Sequence, residues 1–272
     1  MATVTDDRTA RVWTSITSYA LEHDAAPDAR HACHACAKAL RATGVGLSLS
    51  LTRTPGRVLP EPVIATSQLA ERVDDLQFTI GEGPAPEAAA HDRPVLVADL
   101  AAGVNYRKWP AFMAAVGEYD VAAIFAFPVS SGGARVGVLS VYRTMTGHLS
   151  GAELADGLAY ADAVLVLTLD RHGGLPPNTD GRRGFDPVDF RAEVHQAAGM
   201  VSAQLGVSVT DALIRLRAYA YAQDRRLTDV AHAVLARRLR FLPDGNVSTS
   251  EAVDETHTDD GPADGSDLEG KA

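Results

Sequence analysis

The chain has 272 residues, 46 % of them apolar, enough for one large domain or for one medium and one small domain with real cores. Its two cysteines are too few and too close together for an extracellular disulfide framework, and no stretch approaches the roughly 18 apolar residues of a membrane helix. With no basic start and apolar run at the N-terminus, a cytoplasmic protein is expected, and the net charge of -10 argues on average against nucleic acid.

In chain order, residues 9–22 and 28–42 read as helices, the second stopping at Gly44 as a glycine cap. Residues 44–52 then alternate apolar and polar side chains as a half-buried strand, with Pro55, Gly56 and Pro60 marking a loop. A strand follows at 62–67, then a helix at 67–77 capped by Ser67 with Glu71 in its first turn, and a third strand at 93–100. Residues 106–118 read as a helix after their proline, and 121–131 with 134–143 as two long strands joined by a Gly-Gly turn. Leu154, Leu158, Ala161, Leu165 and Leu169 give a long closing helix an apolar stripe, fit to cover a sheet or to pair with a second copy. Together these elements predict an α+β domain with a mostly antiparallel sheet flanked by helices.

The glycine- and proline-rich segment 173–187 reads as a linker. Beyond it, residues 189–242 carry eight arginines, no lysine and five carboxylates, whereas 243–272 carry nine carboxylates and one lysine. The chain's one basic segment therefore uses only the planar, forked guanidinium, which suits contacts to phosphates and bases. Three helices are expected here. The first carries Phe190, Val194, Ala197, Val201 and Leu205 on one face and stops at Gly206. The second is capped by Ser208 with Asp211 and turns Ala212, Leu216 and Ala220 inward. The third is capped by Thr228 and ends in Arg237, Arg238 and Arg240. Residues 243–272 have the composition of a disordered acidic tail.

The segment FTIGEGPAPEAAAHDRPVLVADL (78–100), with the helix and paired strands after it, resembles a GAF domain of the actinobacterial type, over roughly residues 10–171. The Gly81-Glu82-Gly83-Pro84 turn and Asp99 carry the likeness, which implies a pocket for an unknown small ligand near Glu82, Asp99, Tyr106 and Tyr142. As turn and cap residues the same positions have a purely structural reading. Relatives often have a cysteine after the Gly-Pro pair, where this sequence has Ala85. Cys33 and Cys36, flanked by His31 and His34, lack a second ligand pair, so packing rather than a metal site is expected.

Residues 188–242 resemble an ANTAR domain through Ala197, Gly199 and Met200, then Ala212, Leu216, Arg217 and Ala220, then Arg226, Leu227, Val230 and Ala231. Members of that family bind paired RNA hairpins in nascent leader transcripts, favour antitermination and usually act as homodimers. The resemblance implies a non-enzymatic regulator with RNA contacts at Gly199, Arg215, Arg217, Tyr219, Tyr221, Arg225 and Arg226. Arginine suits that role because it pairs with phosphates, stacks on unpaired bases and reads base edges in loops. Relatives commonly have lysine where Ala198 stands. A DNA-binding or protein-interaction regulator and a GAF-type sulfoxide reductase are the alternatives. The plan is thus a sensor at 10–171, a linker at 172–187, a bundle at 188–242 and a tail at 243–272.

Overall fold

The computed structural model describes residues 4–50, 60–131, 134–172, 192–223, 225–242 and 246–249. The linker at 173–187, Phe190, the Gly132-Gly133 turn and the acidic run from residue 250 onward lie outside the described residues.

The N-terminal domain is the expected α+β layer structure. Its sheet contains β1 (Gly44–Leu49), β2 (Glu61–Ala65), β3 (Val95–Val97), β4 (Ala123–Ser131) and β5 (Ala134–Arg143), in the order β2-β1-β5-β4-β3 with every pair antiparallel. Strand alternation supplies two buried faces from one sheet. Val45, Leu47, Leu49, Phe125, Phe127, Leu139 and Val141 point to a core roofed by α1 (Val4–Leu21), α2 (Ala29–Ala39) and α7 (Gly151–His172). The opposite face carries Ile124, Ala126, Val138 and Tyr142. It is covered by α3 (Gln68–Ile80), α4 (Pro84–His91) and α6 (Pro110–Val116), with α5 (Gly103–Lys108) packed against α6.

Two glycines decide how closely α3 lies on the sheet. A Cβ on Gly44 would overlap the Ser67 hydroxyl, and one on Gly46 would overlap the Asp74 carboxylate, so β1 is bare where the helix crosses it. Gly44 thus begins β1 instead of capping the preceding helix, which ends at Ala39 and is followed by Arg41 in the left-handed region at φ 48°. Ser67 does cap α3, accepting from the Ala70 N–H at 3.2 Å.

Other expectations need correction. The helix expected at 106–118 is two helices broken at Trp109, because Pro110 cannot continue the hydrogen bonding of α5 and instead starts α6. On α7, Tyr160, Ala161, Val164 and Leu165 are buried, while Leu158 and Leu169 of the expected stripe are exposed. Gly157 lets that helix ride on the Phe127 ring, which a Cβ there would strike.

The C-terminal bundle contains α8 (Ala192–Leu205), α9 (Val209–Ala222) and α10 (Leu227–Leu235). Gly206 turns the chain out of α8 at φ 65°, and Ser208 caps α9 by accepting from the Asp211 N–H at 3.1 Å. The core is Val194, Ala197, Ala198, Val201, Ala212, Leu216, Ala220, Leu227, Val230, Ala231 and Val234. Here Ala198 is fully buried, a position where lysine would have to leave the core. Thr228 lies inside α10, whose cap position is Arg226, and the helix ends at Leu235. The chain then forms a hairpin of β6 (Leu239–Phe241) and β7 (Val247–Thr249), so Arg240 belongs to a strand and residues 247–249 of the expected tail are ordered pairing partners. Leu239 and Phe241 close the bundle from beneath, with Phe241 edge-on to Tyr219 at 5.5 Å.

Candidate nucleic-acid interface

Bundle geometry decides which arginines and tyrosines face solvent. Successive α9 residues rotate by about 100°, so Ala212, Leu216 and Ala220 go inward while Arg215 and Tyr221 stand outward and exposed. Arg225 follows in the α9–α10 turn, also exposed, with its guanidinium near the Asp229 carbonyl at 3.5 Å. Gly199 is exposed on α8 with open space where its Cβ would be, which leaves the backbone approachable. Tyr219 is different: it packs on Phe241 and is half-buried.

Arg217 and Arg226 turn the other way, onto the sheet domain. The Arg217 guanidinium lies 4.0 Å over the Phe78 ring of α3, and Phe78 is itself buried among bundle residues. Arg226 pairs with Glu71 at 2.6 Å and with Asp75 at 3.1 Å, both on α3. A third link joins α8 to the edge strand β2, where His195 Nε2 meets Glu61 Oε2 at 2.8 Å. Glu61 is only 5 % exposed there, and its hydrogen bond raises the His195 pKa against the opposing effects of burial and of nearby Arg217. Glu71, Asp75 and Phe78 follow a spacing of four and three and so form one stripe of α3. The seven expected RNA residues are therefore divided: Gly199, Arg215, Tyr221 and Arg225 face out, Arg217 and Arg226 are docked, and Tyr219 packs.

The four expected ligand-pocket residues are not brought together. Glu82 accepts from the Ala111 N–H at 3.0 Å and caps the start of α6. Asp99 accepts from the Ala101 N–H at 3.0 Å and borders an open cleft of about 450 Å³ outside β3, near Lys108 and His148. Tyr106 is exposed on α5. Tyr142 is fully buried, and its hydroxyl donates to Asp74 and accepts from Gln77 Nε2 at 3.0 Å. Burial first, then the neighbouring Asp74 carboxylate, pushes the Tyr142 pKa well above its ordinary value. Gln77 Oε1 in turn accepts from the Ala85 N–H at 2.9 Å, so the side chain links α3, α4 and β5.

Asp74 and Gln77 are buried polar residues that the sequence did not single out. Their only signal was spacing, four before Phe78 and four after Val73, on a helix that also carries Gln68, Glu71, Arg72 and Asp75. The cavity beside Asp74, Gln77, Phe78 and Ala85 is about 10 Å³, room for roughly one water. Between the domains lies a larger cleft of about 420 Å³, bordered by Arg72, Asp75, Glu118 and Tyr119 on one side and Tyr221, Arg225 and Arg226 on the other. Cys33 and Cys36 are fully buried, and desolvation drives both thiol pKa values up, which suppresses the thiolate. Among the described residues no group of His, Cys, Asp and Glu has the arrangement to hold a metal ion.

Residues 188–235 match the ANTAR domain family. The C-terminal bundle is an ANTAR domain. The family is one of RNA-binding antitermination regulators, and the match ends at Leu235, before the β6–β7 hairpin. No curated protein sequence matches the chain. Solved structures resembling the sheet domain include the GAF domain of a phosphoenolpyruvate-protein phosphotransferase from Coxiella burnetii, 17 % identical with a TM-score of 0.44, covering 60 % of this chain and 96 % of that one. The GAF domain of the Acinetobacter phosphotransferase is 12 % identical with a TM-score of 0.45, covering 65 % and 100 %. A free methionine-R-sulfoxide reductase from Thermoplasma acidophilum is 12 % identical with a TM-score of 0.34, covering 57 % and 96 %. Among the described residues no single helix is long and apolar enough to cross a membrane; the bent pair that passes by composition is α8 with α9, both packed in the ANTAR core.

Proposed function

We propose that the chain is a cytoplasmic, non-enzymatic antitermination regulator in which the ANTAR domain binds hairpin leader RNA and the sheet domain is a GAF-type sensor of a small ligand. The observation that carries this reading is the ANTAR match itself, on a bundle whose outer surface presents Arg215, Tyr221 and Arg225 around an apolar core. Guanidinium and phenol groups at such a surface suit unpaired bases and phosphates of loops. The GAF assignment draws on the Gly81–Pro84 turn and on the antiparallel sheet between helices, with a polar cluster of Asp74, Gln77 and Tyr142 enclosed between them. Burial and raised pKa values of both thiols speak against the reductase alternative. Pairing of two copies, as in other ANTAR regulators, belongs to the proposal, and the exposed Leu158, Val166 and Leu169 of α7 offer an apolar surface for it.

The experiment is a titration of the full chain with a tandem-hairpin RNA at two salt concentrations, beside an Arg215→Ala, Arg225→Ala variant. The native chain should bind more weakly at high salt, and the variant should bind more weakly throughout, with its salt slope reduced by about one per lost phosphate contact. Equal binding by both proteins would remove these arginines from the interface. Preference for duplex DNA over RNA would replace the reading with a DNA-binding regulator.

A further inference from the structure

Helix α3 has two polar stripes with separate duties. Ala70, Val73, Asp74 and Gln77 face the sheet, where the two polar members bind Tyr142. Glu71, Asp75 and Phe78 face the ANTAR domain, where they hold Arg226 by two carboxylates and Arg217 by an aromatic face. Carboxylate pairs and a stacked ring are the contacts that phosphates and an unpaired base would offer the same two guanidinium groups. Glu61 extends the acidic surface by gripping His195.

We infer that this stripe of α3, with Glu61, is an interaction surface that imitates RNA and competes with it for Arg217 and Arg226, leaving Gly199, Arg215, Tyr221 and Arg225 available in the docked state. The inference rests on the RNA-binding reading. It divides the ANTAR surface in two: an outer half that meets RNA at once, and an inner half that RNA gains only by displacing α3. Because the stripe shares its helix with Asp74 and Gln77, any rearrangement of the Tyr142 cluster moves the residues that hold the arginines. Any change in the Tyr142 cluster and release of the inner half are thereby linked through one helix.

The test uses the full chain with the same tandem-hairpin RNA. A Glu71→Gln, Asp75→Asn variant is compared with a Glu22→Gln, Asp24→Asn variant, which removes equal charge from exposed residues just after α1, on the opposite face of the sheet. The stripe variant should bind RNA about threefold tighter than the native chain, on the scale of a partly exposed ion pair, and the control should match the native chain. Equal tightening in both variants, or none in the stripe variant, would overturn the competition while leaving RNA binding intact. Hydrogen exchange of the native chain supplies a readout independent of any substitution: saturating RNA should speed exchange in peptides covering 68–80, and unchanged protection with RNA bound would refute the inference. No RNA binding by any of the three proteins would instead fail the RNA reading first, and the competition with it.

Discussion

The sheet domain and the ANTAR domain place their polar side chains in opposite ways. Among the described residues, all the buried polar or charged side chains, Ser48, Glu61, Asp74, Asp75, Gln77, Asn105, Ser140 and Thr168, belong to the sheet domain. The ANTAR core is apolar throughout, and its arginines and tyrosines stand at or near the surface. An apolar core of small helices makes a stable scaffold whose chemistry is all outside, as contact with a macromolecule requires. A sheet domain that accepts a desolvated carboxylate must satisfy it internally, and such networks are stable only when each member keeps its partners. Glu61 and Asp75 belong to both descriptions, since they are buried by the ANTAR domain and hold its basic residues.

Substitutions that break this comparison should differ in size. Leu216→Ala, at a fully buried position of the ANTAR core, should cost about 3 kcal/mol through lost burial and an unfilled cavity. Faster hydrogen exchange in α8–α10 with β1–β5 unchanged would show it, and equal loosening of both domains would mean that they fold as one unit. Tyr142→Phe should cost about 1–2 kcal/mol in the sheet domain, because Asp74 and Gln77 lose a shared partner in a buried place. Urea unfolding reads this, and a change under about 0.5 kcal/mol would show that the cluster carries no stability.

The His195–Glu61 pair gives a smaller, pH-dependent effect. A histidine whose folded pKa is raised contributes stability that is complete below its unfolded value of about 6.5 and disappears as pH rises through the folded value. Docking of the ANTAR domain should therefore weaken above about pH 6.5. In a Glu61→Gln variant the His195 ring should titrate lower by NMR and this pH dependence should largely vanish, leaving Arg217 as the charge facing the ring. Persistence of the native profile would assign it to other groups. Least of all for stability, Arg215→Ala with Arg225→Ala should change unfolding by under about 0.5 kcal/mol while weakening RNA binding. That result would sharpen the contrast between an outer surface built for contact and an inner one built for docking.

Much of the fold was legible because local physics wrote it into short segments. The alternating run at β1, the long apolar-rich runs at β4 and β5, the Ser67 and Ser208 caps and the glycine stop at Gly206 are features that neighbours in sequence determine among themselves. Where local signals competed, they misled. Thr228 looked like a cap two residues past the true cap position of α10, Arg226, and the arginine-rich end looked like a continuing helix although Leu239 and Phe241 turn into a strand to cover the bundle. The expected ligand residues were sought around a turn, yet Glu82 and Asp99 serve as caps because backbone N–H groups at α6 and at Ala101 need acceptors.

What the sequence by itself determined is the composition of each surface: an arginine-only basic segment, three amphipathic helices at the spacing of an ANTAR domain, and an antiparallel sheet domain ahead of it. Only the tertiary structure decided how those surfaces are used. Arg215 and Arg217 are two residues apart, so about 200° of helical rotation sends one to solvent and the other onto Phe78. Asp74 and Asp75 are adjacent, and one step around the helix separates a partner of Tyr142 from a partner of Arg226. Burial and pairing depend on which element crosses a given face, and that is set by contacts between residues more than a hundred positions apart.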